Sequence, residues 1–139
     1  MISIIVASHG EFAEALIHTS EMIAGKQQNV AAVTLVPSDG IDALESKFKD
    51  VFKKLPRNDV LILTDLWGGS PFNAASKFVA EDPAHNALIA GVNLPLLLEA
   101  YMIKDQSLSK VVDHLTNVAA SSIKQFELPD QSDGEDDLL

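Results

Sequence analysis

A histidine and an aspartate each follow a short apolar run in this 139-residue sequence, and together they suggest nucleophilic chemistry. His9 comes after the run that starts at Ile2, and Asp65 comes directly after Thr64. A neutral imidazole attacks through its bare ring nitrogen. A carboxylate bonded to the other nitrogen fixes the tautomer and stabilises the charge that develops. The pair therefore predicts a nucleophilic histidine oriented by an aspartate.

The segment Gly68-Gly69-Ser70-Pro71 follows Asp65 closely and has the features of an anion site. Ser70 is predicted to cap a helix that begins at Pro71, where no amide hydrogen is needed. Amides at a helix start attract anions, and the two glycines let the backbone approach a phosphate. The set predicts phosphoryl transfer to histidine. A turn histidine beside a tight turn and a capped helix remains the alternative at this point.

Strands and helices alternate along the chain and must bring these residues together. The predicted strands cover residues 2–7, 30–36, 59–64 and 87–91, with a short final strand at 123–128. The predicted helices cover residues 11–24, 41–55, 71–80, 94–103 and 108–122. This alternation predicts an α/β fold with an open, mainly parallel sheet flanked by helices. We expect four strands in the order 2-1-3-4. Ligands bind beyond the carboxyl ends of such strands, where His9 and Asp65 meet if the first and third strands are neighbours.

Composition and charge exclude several classes of function. The chain has 20 acidic and 10 basic residues, a net charge of −10, which disfavours binding to nucleic acid. It has no cysteine, so disulfides and thiolate chemistry are excluded. No apolar run reaches the roughly 18 residues of a membrane-spanning helix. We expect a cytoplasmic protein, and no histidine or carboxylate spacing predicts a metal site.

The end of the chain and the remaining histidines carry weaker signals. Residues 130–139 contain five acids and no base, so residues 129–139 are predicted to form a disordered acidic tail after a domain of residues 1–128. His18 and His114 are predicted to be solvated, and His85 to lie in a loop. Trp67 is either a core residue or an exposed contact for a partner, and the sequence leaves both open.

Three segments, at residues 7–10, 64–75 and 91–99, together resemble the enzyme IIA domain of the mannose family of the bacterial phosphoenolpyruvate:sugar phosphotransferase system. The resemblance spans about residues 1–128. It implies that His9 accepts a phosphoryl group from the phosphocarrier protein HPr and passes it to an enzyme IIB component. Asp65 is implied to orient His9, and Thr64, Gly69 and Ser70 to line the phosphoryl pocket.

The resemblance also implies an assembly. It predicts a homodimer in which the final strand, residues 123–128, is exchanged between subunits. No metal or organic cofactor is expected, and the membrane components IIC and IID are indirect partners. The transported sugar stays open, because a IIA component does not bind the sugar.

Three alternatives to a IIA component remain. The phosphotransfer subunit of a dihydroxyacetone kinase shares the fold and the histidine, although the loop at residues 68–71 argues against it. A non-catalytic regulatory module on the same fold is the second alternative. A small-molecule hydrolase is the third, and it lacks a second nucleophile.

Overall fold

The computed structural model describes residues 1–56 and 58–130. Its four strands form one parallel sheet in the order β2-β1-β3-β4, so the predicted fold class and strand order are confirmed. The strands are β1 (Ser3–His9), β2 (Val30–Leu35), β3 (Val60–Thr64) and β4 (Asn86–Ala90). Ala7 of β1 lies opposite Thr64 of β3, which aligns the carboxyl ends of the two central strands.

Helices cover both faces of the sheet. They are α1 (Phe12–Ala24), α2 (Ile41–Lys54), α3 (Gly69–Glu81), α4 (Leu94–Ile103) and α5 (Leu108–Val118), and a 3₁₀ turn at Ala119–Ser122 follows. Ile4 and Val6 belong to the core under α1, α4 and α5, whereas Ile5 and Ala7 belong to the core under α2 and α3. Because successive strand residues point to opposite faces, a strand buried on both sides needs a continuous apolar run.

Side chains begin two helices as predicted, whereas α3 begins differently. Asn93 accepts a hydrogen bond from the Leu96 amide at 2.9 Å at the start of α4, and Ser107 begins α5 in the same way. The prediction that Ser70 caps α3 is wrong. Gly68 and Gly69 adopt φ angles of 81° and 82°, which turn the chain into the helix early and leave Ser70 inside the first turn without a capping bond.

The chain after α5 also departs from the sequence-based prediction. The helix ends at Val118, and residues 123–130 form neither helix nor strand within the single chain. The final strand predicted at 123–128 is therefore not formed here. Its predicted neighbour is a second subunit, so the exchanged strand stays a prediction. The predicted tail lies outside the described residues from 131 onward. No helix of the described part has the length and apolar character to cross a bilayer.

Candidate functional site

The structure brings His9 and Asp65 into contact at the carboxyl edge of the sheet. His9 is the last residue of β1, and Asp65 follows β3, which pairs directly with β1. The Nδ1 atom of His9 lies 2.8 Å from Oδ2 of Asp65. The Asp65 amide donates to the Ala7 carbonyl at 3.2 Å and continues the pairing of the strands past Thr64. The ring of His9 is thus held by a carboxylate on a neighbouring strand.

Further hydrogen bonds hold the Asp65 carboxylate in place. Its Oδ2 atom also accepts from the His9 amide at 2.9 Å, and its Oδ1 atom accepts from the Leu66 amide at 3.0 Å. The carboxylate is only 15% exposed, whereas the His9 side chain is 47% exposed. An ionised carboxylate can only accept, so the hydrogen of a neutral His9 ring belongs on Nδ1. The Nε2 atom is then bare and free to attack.

Gly69 lies beside the Nε2 side of His9. A Cβ atom at this position would lie 3.1 Å from Cε1 and 3.5 Å from Nε2 of His9. Gly68 has the same positive φ, but a Cβ atom there would meet nothing within 4 Å. Gly68 is therefore needed for the backbone conformation, and Gly69 also for the close approach to the ring. The start of α3 borders the reactive nitrogen, where its amides favour an anion.

Thr64 is fully buried at the end of β3. Its hydroxyl donates to the Leu66 carbonyl at 3.3 Å, and its carbonyl accepts from the amides of Gly91 and Val92 at 2.9 and 3.0 Å. These bonds join the loop after β3 to the loop after β4. Ser70 is half-buried in the first turn of α3. The phosphoryl-binding roles of Thr64, Gly68, Gly69 and Ser70 stay predictions.

Ser8 is a structural support of the site that the sequence analysis missed. Its buried Oγ atom accepts from the Ala13 amide at 2.7 Å and ties the first turn of α1 to the residue before His9. The usual capping residue lies two or three positions before the amide that it bonds. Ser8 lies five positions before it, so the standard pattern does not reveal the cap. A serine at the end of an apolar run, directly before His9-Gly10, is a signal in the sequence that could have pointed to it.

Asp39 and Lys47 hold the end of β2 beside this turn. The Asp39 carboxylate accepts from the Val36 amide at 3.0 Å and pairs with Lys47, whose ammonium also donates to the Thr34 carbonyl at 2.8 Å. The hydrogen bond from Lys47 holds the pKa of the Asp39 carboxyl below its ordinary value. Leu35 lies between Thr34 and Val36, and its carbonyl accepts from the amide of Gly10, the residue after His9, at 2.7 Å.

The other histidines lie apart from this arrangement. His85 contacts Asp82 at the amino end of the sheet, and its carbonyl accepts from the Val60 amide. His114 was predicted to be solvated, and its side chain is 39% exposed. Its Nε2 atom also lies 2.6 Å from Oε1 of Glu99 between α5 and α4. The sequence did not reveal that α5 packs against α4. Among residues 1–56 and 58–130, no three histidine or carboxylate side chains form a metal-binding group.

Trp67 is exposed, which answers the question that the sequence left open. Its side chain is 80% exposed, and its ring packs against Phe72 with the centroids 4.5 Å apart. Leu66 is also exposed. The loop between Asp65 and α3 therefore presents apolar side chains at the edge that holds His9.

Comparison with known proteins supplies the family. A family model described as the PTS system fructose IIA component, EIIA-man, matches residues 3–116, which is most of the chain. The chain belongs to the EIIA-man family. The predicted family is therefore confirmed, and the chain is a member of a family of sugar phosphotransferase components.

Named relatives and a solved structure agree with the family assignment. The chain is 40% identical over 129 residues to the PTS system fructose-specific EIIA component of Bacillus subtilis (strain 168), covering 92% of this chain and 86% of the relative. It is 45% identical over 105 residues to the mannose-specific EIIAB component of Escherichia coli (strain K12), covering 75% of this chain and 32% of the relative. The chain thus spans about a third of that relative.

The agreement extends to the fold. The mannose/sorbose-specific IIA subunit from Enterococcus faecalis superposes with a TM-score of 0.84 at 28% identity, covering 92% of this chain and 96% of that subunit. The order of strands and the flanking helices that position His9 are therefore those of a solved EIIA-type structure.

Proposed function

We propose that this protein is the IIA phosphocarrier of a sugar phosphotransferase system. In this proposal His9 accepts a phosphoryl group from phospho-HPr and passes it to an enzyme IIB component. The observation that carries the proposal is the contact of Nδ1 with the Asp65 carboxylate, which leaves Nε2 free beside the start of α3. Membership of the EIIA-man family supports the same chemistry.

The transfer step follows from this geometry. The lone pair of His9 Nε2 attacks phosphorus in line, a new N–P bond forms, and the N–P bond to the donor histidine of HPr breaks. The bonding pair returns to the nitrogen of the donor ring. The His9 ring then carries positive charge, which the carboxylate of Asp65 stabilises through the retained Nδ1 hydrogen. Positioning and charge stabilisation supply most of the rate enhancement, as in other phosphoryl transfers.

The transferred group needs stabilisation on its oxygens as well. The amides at the start of α3, from Gly69 and Ser70, are the proposed donors, because Gly69 lies beside the side of the ring that attacks. The hydroxyl of Ser70 is the proposed additional donor, and Thr64, whose hydroxyl hydrogen bonds to the Leu66 carbonyl, is proposed to line the pocket. In the second half of the cycle, the nucleophile of enzyme IIB attacks the same phosphorus, and the electron pair of the N–P bond returns to His9 Nε2.

We also propose that the protein is a homodimer that exchanges residues 123–128. Two observations support this assembly. The strand β4 lies at an edge of the sheet, and Ile123, Phe126 and Leu128 are exposed apolar residues on a segment without secondary structure. Truncation after Ser122 is expected to convert the dimer to a monomer in sedimentation velocity. An unchanged dimer after truncation would contradict the exchange. The cytoplasmic location and the role in sugar uptake with IIC and IID remain predictions.

Phosphorylation in vitro tests the proposed function. The protein is mixed with phosphoenolpyruvate, enzyme I and HPr, and its intact mass is measured before and after mild acid. We expect one added phosphoryl group that maps to the peptide containing His9, is lost in acid and is removed when enzyme IIB is added. No gain in mass with active partners would overturn the proposal. A gain that maps to His18, His85 or His114 would assign a different acceptor.

A further inference from the structure

The backbone around His9 is held from two sides, by the loop after β3 and by the end of β2. On the β3 side, the His9 amide donates to the Asp65 carboxylate at 2.9 Å. On the β2 side, the amide of the next residue, Gly10, donates to the Leu35 carbonyl at 2.7 Å. Leu35 is the last residue of β2, and β2 lies at an edge of the sheet. Because the end of an edge strand opens at little cost in free energy, this side needs further support.

The turn after His9 depends on that bond because its side chains cannot anchor it. Gly10 has a φ of 57°, and the chain leaves β1 here and enters α1. A Cβ atom at Gly10 would meet nothing within 4 Å, so the glycine serves the backbone angle and packs against no neighbour. The hydrogen bond to Leu35 is therefore what fixes the turn on the side of β2.

A lysine and an aspartate close around the end of β2 and hold the Leu35 carbonyl in place. Lys47 of α2 donates to the Thr34 carbonyl at 2.8 Å and pairs with the Asp39 carboxylate. The same carboxylate accepts from the Val36 amide at 3.0 Å. These bonds fall on the residues directly before and after Leu35. The Asp39 side chain is only 13% exposed, so the pair is largely shielded from the water that weakens exposed ion pairs.

We propose that the Asp39–Lys47 pair positions His9 for phosphoryl transfer, by fixing the carbonyl to which the turn after His9 is bonded. This inference rests on the proposed function, because it concerns the reaction of His9. Neither residue bonds to His9 or to Asp65, so both are positioning residues. Without the pair the ring keeps its contact with Asp65, but the turn that carries it shifts more freely.

The expected cost follows from the sensitivity of transfer to position. A misplacement of about 1 Å in a reacting group costs about 100-fold in rate, and a turn that shifts part of the time costs less, about tenfold. Lys47→Met removes the ammonium and keeps the length of the side chain. We expect its limiting rate of transfer from phospho-HPr to fall about tenfold in rapid-quench kinetics, with an unchanged half-saturating concentration of phospho-HPr. Hydrogen exchange followed by NMR should show that the Gly10 amide exchanges about tenfold faster or more.

A second lysine of the same region provides a matched control. Lys77 of α3 pairs with Glu45 of α2 at 2.6 Å, and neither residue bonds to the end of β2. Lys77→Met therefore removes a comparable ion pair of α2 that does not reach the turn. We expect the wild-type limiting rate and wild-type exchange of the Gly10 amide for this variant, whatever its effect on the melting temperature.

Two further variants keep the test decisive if Lys47→Met does not fold. Lys47→Arg restores the positive charge and should recover most of the limiting rate. Asp39→Asn keeps an acceptor for the Val36 amide and loses the charge that holds Lys47. Its limiting rate should therefore lie between those of Lys47→Met and the wild type, again with unchanged saturation.

The possible outcomes separate this inference from the proposed function. If the wild type takes up no phosphoryl group, the proposed function fails, and exchange of the Gly10 amide still tests whether the pair holds the turn. If the wild type is phosphorylated and Lys47→Met keeps its limiting rate, the positioning role alone is wrong. An equal fall in Lys77→Met would assign the effect to stability and overturn the inference. A higher half-saturating concentration with an unchanged limiting rate would make Lys47 a contact for the partner, and a slower rate with unchanged Gly10 exchange would assign another route. Both results would also overturn it.

Discussion

Two histidines of this protein each contact an aspartate through Nδ1, at opposite ends of the same sheet. His9 lies 2.8 Å from Asp65 at the carboxyl end, and His85 lies 2.9 Å from Asp82 at the amino end. The atoms in contact are the same, and the distances are nearly the same. The surroundings differ in what holds the carboxylate and in what lies beside the other ring nitrogen.

The carboxylate at the carboxyl end is held on more sides. Asp65 accepts from two backbone amides as well as from His9, and its side chain is largely covered. Asp82 lies three residues before His85 in the same turn, and both side chains are more than half exposed. A pair formed within one exposed turn rearranges easily, whereas a pair that joins two strands is fixed by the sheet.

The second ring nitrogen makes the larger difference. Nε2 of His9 lies beside Gly69 and the amides at the start of α3, a setting that favours a bound anion. His85 follows the carboxyl end of the same helix, where the exposed carbonyls favour cations. A histidine–carboxylate contact is therefore not a sign of catalysis by itself. The proposed sign is the combination with a helix start, which favours anions, beside the other nitrogen of the ring.

Replacement of the histidines themselves is expected to have the largest effect. His9→Ala should take up no phosphoryl group in the in vitro reaction, because the accepting nitrogen is gone. His85→Ala and His114→Ala should be phosphorylated to the wild-type extent, as measured by intact mass. Loss of phosphorylation in His85→Ala would show that the pair at the amino end of the sheet, and not only the pair at the carboxyl end, is needed for transfer.

Removal of charge from each aspartate has the next largest effect. Asp65→Asn should slow transfer by about 100-fold or more, because the amide neither stabilises the charged ring nor enforces the tautomer. The matched variant Asp82→Asn should transfer at the wild-type rate. Rapid-quench rates with saturating phospho-HPr provide the measurement, and circular dichroism checks the fold. A wild-type rate for Asp65→Asn would remove Asp65 from the mechanism.

Variants of the paired glycines test whether the close approach of the backbone to Nε2 of His9 matters for transfer. Gly68→Ala and Gly69→Ala both place a side chain at a positive φ, so each should lower the free energy of unfolding by about 1–2 kcal/mol. Only Gly69→Ala also pushes a methyl group against His9, so only this variant should slow transfer, by about tenfold. Urea unfolding and rapid-quench kinetics separate the two effects. Equal rates for the two variants would contradict the close approach.

The smallest expected effect concerns pH and the pair at the amino end. The hydrogen bond that His85 donates to the Asp82 carboxylate raises the pKa of His85 above its ordinary value of 6.5 in the folded state. A raised folded pKa means that the charged pair stabilises the fold fully below pH 6.5, and that this contribution is lost as the pH rises through the folded pKa. The difference in melting temperature between the wild type and His85→Gln should therefore be larger at pH 6 than at pH 9. An unchanged difference would show that the pair does not contribute.

Most of the fold could be predicted from the sequence because its signals are local. The continuous apolar run of β1, the helical period of α1 and the caps at Asn93 and Ser107 each depend on neighbouring residues only. The strand order 2-1-3-4 was expected although the local signals do not determine it, and the structure confirms it. The predicted start of α3 at Pro71 was two residues too late, because the sequence does not reveal the φ angles of Gly68 and Gly69.

The parts of the site that escaped prediction depend on contacts distant in sequence or outside the standard patterns. Ser8 reaches an amide five residues on, and His114 finds Glu99 only because two helices pack together. Whether Trp67 is covered depends on the neighbours that the fold brings to it, and Phe72 covers only one side of its ring. None of these contacts follows from a residue type at a local spacing.

The sequence by itself determined which residues are available for the chemistry and which elements carry them. An imidazole after one apolar run and a carboxylate with a glycine pair after another are matters of residue type and order. The tertiary structure decided that Nδ1 faces Asp65 and that Nε2 faces the start of α3. Strand pairing and backbone φ angles set that orientation, and both depend on packing of the whole sheet rather than on the residues beside His9.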